Sequence, residues 1–155
     1  MALAPKHTIK VRVVKKPGGW ELDVDQKFND HHVRKAVDPQ LISWEILDSG
    51  SNNYRFVEMS HRPPGFSWMD PASPPEGIFS QPQVCPDCGH LTLTDLHDDN
   101  ASIGDFIYRL RVWVGDEIIE TAYDPGAKEI EPCDEQLDPC KLRFMVTTNP
   151  RIKNT

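Results

Sequence analysis

The feature that most constrains the fold is a nine-residue run, Phe106-Ile-Tyr-Arg-Leu-Arg-Val-Trp-Val114, in which aromatic and branched side chains alternate with arginines. A period of two is the period of a β-strand, and no other stretch carries it so strongly. Gly115-Asp116 follows as a two-residue hairpin turn, and Glu117 to Tyr123 returns along it. The same alternation recurs elsewhere. Thr8 to Val14 places Ile9, Val11 and Val13 on one face, and after the turn at Lys16-Pro-Gly-Gly19, Trp20 to Val24 completes an opening hairpin. Leu41–Leu47, Tyr54–Met59, Leu91–Leu96 and Leu142–Thr148 are further strands, with a turn at His97-Asp-Asp-Asn100. Asn29 to Gln40, which carries His31-His32, is polar and has no clear period. The expectation is an all-β chain of about eight or nine strands and no helix, a single antiparallel β-sandwich of immunoglobulin-like type spanning residues 1–155 as one domain.

Proline sets the other boundary. Six of the fourteen prolines fall between His61 and Gln83, and Pro86 comes soon after. Proline donates no ladder hydrogen bond and clashes inside a helix, so this stretch predicts a long surface loop, with a short edge strand at Ile78-Phe79. Its aromatics, Phe66, Trp68 and Phe79, either anchor the loop to the core or form a surface for a protein partner.

The 155 residues suffice for a real core, and 38% hydrophobic with 26% charged is ordinary for a water-soluble globular chain. A net charge of −7 argues against a nucleic-acid or anionic-membrane binder, which needs clustered cations. Lys10, Arg12, Lys15 and Lys16 are close together but fit a solvated strand face. No stretch approaches the length of a membrane span, and Met1 to Lys6 lacks the apolar core of a signal peptide. A cytoplasmic, reducing setting is the default expectation.

In that setting paired cysteines are more often metal ligands than disulfides. Cys85-Pro-Asp-Cys88-Gly-His90 is a C-x2-C turn that aims two thiolates at one spot, and Cys133 and Cys140 follow as C-x6-C. Together the four would close a tetrahedral shell around a structural zinc. Disulfides or free thiols are the alternative, and a redox C-x-x-C lacks the βαβ context it needs. His90 and His97 are spare ligands, and a zinc enzyme with an open position would draw on His90, His97 or Asp87.

The Xaa-Pro bonds carry the remaining chemistry. Asp-Pro occurs at Asp38, Asp70, Asp124 and Asp138, mostly as turn formers. Asn149-Pro150 follows the last apolar run. Such an asparagine could cyclise through its own amide nitrogen and cut the chain where the fold forces that geometry.

Thr148-Asn149-Pro150-Arg-Ile152-Lys-Asn154 resembles the closing motif, Asp-Pro-x-Ile-x-Asn-x-Pro, of the DP-EP family of small bacterial β-sandwich proteins. Thr8-Ile-Lys-Val-Arg-Val, Tyr54-Arg-Phe-Val57, Pro75-Glu-Gly-Ile78, Leu91-Thr-Leu-Thr-Asp-Leu96 and Gly104-Asp-Phe106-Ile-Tyr108 are similar to further family stretches, in order over most of the chain. The resemblance implies self-cleavage at the Asp-Pro bond and an isopeptide link from that Asp to a Lys on a neighbouring strand. Here the Asp position is Asn149, the Lys position is Asp105, and the final Pro is absent. The isopeptide is therefore impossible at these positions, and cleavage would need another route, such as cyclisation of Asn149 at Pro150 assisted by Asp105. A second register sets Asp124-Pro125 and Glu131-Pro132 at the motif. The leading expectation is a non-catalytic structural or interaction protein with a zinc site. The runner-up is a self-processing endopeptidase cutting at Asn149-Pro150 or Asp124-Pro125.

Overall fold

The computed structural model describes residues 6–25, 30–47, 53–85, 89–122 and 149–155. Among them run eleven strands: β1 (Lys6–Lys16), β2 (Gly19–Asp25), β3 (Asp30–Val33), β4 (Gln40–Ile46), β5 (Arg55–Phe56), β6 (Phe66–Asp70), β7 (Gln83–Val84), β8 (His90–Asp95), β9 (Gly104–Val114), β10 (Glu117–Glu120) and β11 (Arg151–Asn154). A 3-10 turn, Asn100–Ser102, occupies the corner before β9, capped by the Asp99 carboxylate on the amides of Ala101 and Ser102. No helix among the described residues is long and apolar enough to cross a membrane.

The strands form two sheets. One has the order β2-β1-β4-β8-β7; the other has the order β10-β9-β11-β3, with β5 and β6 also paired to β9. β9 is the hub of the second sheet. Its eleven residues pair with β11 at the start and β10 at the end along one side, and with β6 and β5 along the other. Both sheets are mixed, where antiparallel pairing throughout was expected: β1 runs parallel to β4, and β3 runs parallel to β11. The cause is connectivity. Between β2 and β4 the chain crosses to the other sheet to lay down β3, and a strand reached by a crossover is free to run parallel, whereas a tight hairpin is not.

Alternation buries one face of each sheet. In β4 Gln40, Ile42, Trp44 and Ile46 point inward, in β8 Leu91, Leu93 and Asp95, and in β9 Phe106, Tyr108, Leu110 and Val112. These apolar side chains share one core with Ile9, Val11, Phe56, Phe66 and Ile152. Across its middle the Trp44 indole N–H donates to the Tyr108 hydroxyl at 3.0 Å, tying the two sheets while both rings are fully buried.

The proline-rich stretch is less of a loop than its composition suggested. Phe66-Ser-Trp-Met-Asp70 contains no proline, and as β6 it pairs with β9 from Leu110 to Ile107, with a register shift between Trp68 and Asp70. The prolines flank this strand instead of interrupting it. Ile78-Phe79 supplies only one bridge, Phe79 to Asp95, and Tyr54–Met59 contributes only the two residues of β5. The Leu142–Thr148 strand lies outside the described residues.

Candidate functional site

The residues expected at a cleavage site are not assembled around the Asn149-Pro150 bond. Asn149 is 3% exposed, Pro150 is buried, and the Pro150 carbonyl accepts from the Tyr108 amide at 3.1 Å. That bond continues the register of β11 on β9, in which Arg151 faces Ile107 and Lys153 faces Asp105. Extended by two residues, it sets Asn149 beside Arg109. Asp105 therefore lies four positions along β9 from Asn149, roughly 13 Å at strand rise. Its carboxylate is taken by Arg151, with Nη1 3.6 Å from Oδ2. The family motif pairs Asp105 with the bond; the register of β11 on β9 sets it four positions away.

Of the four proposed zinc ligands, Cys85 is described: it is half-buried just past β7, and its amide donates to the His90 carbonyl at 2.9 Å. Cys88, Cys133 and Cys140 lie outside the described residues, as do Asp87, Asp124-Pro125 and Glu131-Pro132. Thr121 and Pro150, each one residue away from the described ends Ala122 and Asn149 that flank the segment holding Cys133 and Cys140, both bond to β9, at Leu110 and Tyr108, two positions apart. His90 stands half-exposed with Nε2 3.8 Å from Glu45.

His97, expected at a turn, is fully buried. It belongs to a polar network that sequence reasoning missed. From β8 onward the inward phase reads Leu91, Leu93, Asp95, His97, so Asp95 and His97 enter the interior on the same side of an extended chain. β11 sends in Ile152 and Asn154 from the opposite sheet. Asn154 Nδ2 donates to Asp95 Oδ1 and to the Ser102 carbonyl, both at 3.0 Å. The Ser102 hydroxyl donates to the Asp99 carbonyl at 2.8 Å and meets His97 Nδ1 at 2.6 Å. Asp95 is completely buried, and that burial pushes its carboxyl up to about 6, with the Asn154 hydrogen bond only partly offsetting it. The signal was available: an Asp and a His sitting in the apolar phase of an otherwise regular strand.

A second polar chain crosses between the sheets nearby. Gln40 Nε2 donates to the Arg34 carbonyl at 2.8 Å, which leaves Oε1 to meet His7 Nε2 at 2.8 Å. His7 Nε2 is then the protonated nitrogen, so Nδ1 accepts from His31 Nε2 at 2.9 Å. Burial, then the neighbouring His7 and His32, lowers the His31 pKa to about 4.

The remaining candidates have structural partners. Lys10 pairs with Glu45 at 2.8 Å and Lys16 with Glu21 at 3.3 Å, while Lys15 lies over the Trp20 ring, as a solvated strand face would have it. Phe66 is buried and stacks on Tyr108. Trp68 and Phe79 pack on each other with centroids 4.5 Å apart, and Phe79 meets Phe106 at 4.8 Å. The loop aromatics are thus anchors. No family model and no curated protein matches the chain.

Proposed function

We propose that this chain is a non-catalytic structural or interaction module, cytoplasmic, built as an immunoglobulin-like β-sandwich and divergent from the DP-EP proteins. In this reading Cys85, Cys88, Cys133 and Cys140 hold a structural zinc that ties two loops, and any partner is a protein rather than nucleic acid or membrane. The observation that carries it is the register of β11 on β9: Asp105 faces Lys153 and pairs with Arg151, four positions from the Asn149-Pro150 bond. A carboxylate so placed is out of reach as a general acid or base for Asn149, since proton transfer needs contact at about 3 Å or one bridging water. Burial of Asn149 and Pro150 further supports a structural role for the motif.

The supporting physics for zinc is the donor set: four thiolates suit Zn2+ and leave no open position for chemistry. Intact-mass spectrometry with metal analysis tests both halves. Protein purified without chelator and held for days in mildly acidic and mildly alkaline buffer is expected to remain one species of 17.6 kDa. It should carry one zinc per chain and no reactive thiols. Fragments ending at Asn149 or Asp124 would establish self-processing instead, and thiols that titrate freely would remove the zinc.

A further inference from the structure

After β6 the proline-rich stretch leaves the second sheet and returns to the first. There Phe79 bridges to Asp95, the Ser80 amide donates to the Thr94 carbonyl at 3.0 Å, and the Ser80 hydroxyl accepts from the Thr94 amide at 2.8 Å. Both ends of the span are thus fixed, one to each sheet. Between the span and β6 lies a cleft of about 350 Å³. That volume falls in the range of small-ligand sites. Pro74, Pro75 and Pro82 form part of its wall, and their fixed φ angles hold that wall in shape without a ligand.

The chemistry of the lining is selective. Phe66, Trp68, Phe79 and Met59 face the cleft. The ring contacts that anchor the loop bury Phe66 but leave Trp68, Phe79 and Met59 only half-buried. Aromatic faces attract cations, tryptophan most strongly, and a thioether sulfur is polarizable. Glu76 is the one charged residue in the lining, and no Lys or Arg joins it. An anion would meet no counter-charge there. A metal ion or a bare ammonium would have to shed tightly held water against walls that return few hydrogen bonds. A quaternary ammonium presents methyl groups to the rings and spreads its positive charge over them, so it gives up little on leaving water.

We propose that this cleft binds a small molecule bearing a quaternary ammonium group, with Trp68 and Phe79 as the aromatic wall and Glu76 as the counter-charge at the rim. None of the lining residues is a cysteine, so the site stands apart from the zinc reading.

The test is an NMR titration of the full chain with choline and with neohexyl alcohol, which has the same shape with carbon in place of nitrogen. Amide shift changes should centre on β6 and residues 72–82. Choline should bind about tenfold more tightly than the alcohol, the margin that cation–aromatic attraction supplies. Glu76→Gln, at an exposed position, should weaken choline about threefold and leave the alcohol unchanged. Trp68→Leu should abolish the preference for choline while the alcohol still shifts residues 72–82, so lost preference is not lost folding. The comparison of the two probes on the parent chain needs no variant at all. No shift changes, changes centred elsewhere, or an alcohol that binds as tightly as choline would overturn the proposal. A trimethyl-lysine peptide that binds more tightly than choline would overturn the assignment to a small molecule.

Discussion

His31 is where a single proton bears most visibly on stability. It donates to His7, which donates to Gln40, and this chain bridges β3 of one sheet to β1 and β4 of the other. The half-buried imidazole resists charging, with its pKa lowered to about 4, whereas in the unfolded chain it takes a proton near 6.5. Between those values the unfolded chain binds more protons, so stability rises with pH through this window. His31 therefore contributes fully above about pH 6.5, and its contribution is lost as pH falls toward 4. Urea midpoints for the parent chain and His31→Gln should differ most near neutrality and converge near pH 4. A constant difference across the range would show that His31 is not held neutral.

Among the elements, β6 and the turn before it are held by backbone contacts that allow no extra atom. A Cβ on Gly65 would stand 2.1 Å from the Val57 carbonyl oxygen. Gly65 O accepts from the Arg111 amide at 2.9 Å, and Val57 N donates to Arg111 O at 3.1 Å, so neither backbone can retreat without breaking the seam with β9. Gly65→Ala should cost about 3 kcal/mol, the upper end of overpacking penalties, read as a lower urea midpoint at unchanged slope. The elements that sequence reasoning located are those whose period reports burial: Phe106–Val114, Leu41–Leu47 and Leu91–Leu96 alternate because one face of each is buried. β3, with Asp30-His-His-Val33, shows no period because two of its four residues are histidines, and His31 is placed by hydrogen bonding. β6 was masked by its proline neighbours, and the parallel pairings were illegible because register between distant strands leaves no local mark. The Asp95 network was half legible: the inward phase is in the sequence, but Asn154 and Ser102 join it only through the tertiary fold.

At the scale of the whole molecule, β11 decides whether β3 joins the second sheet, because it alone links β3 to β9 among the described strands. Its four residues lie between β9 and β3, and Ile152 and Asn154 are buried by both sheets. A chain stopped before Pro150 loses a central strand, not an edge. It should show no cooperative melting transition, and its amide NMR spectrum should collapse toward the dispersion of an unfolded chain. A stable, well-dispersed spectrum would mean that β3 and β9 can close without it. The strand nearest in space to β3 is thus more than a hundred residues away from it in sequence. During synthesis, β3 leaves the ribosome more than a hundred residues before β11 and must wait, without a neighbour on that side, until β11 follows. Domains commonly fold as units while the chain is growing; here the wait exposes Val33 and the unpaired β3 backbone to whatever else is in the cell, and it makes the moment of β11's release the earliest at which the sheet can close.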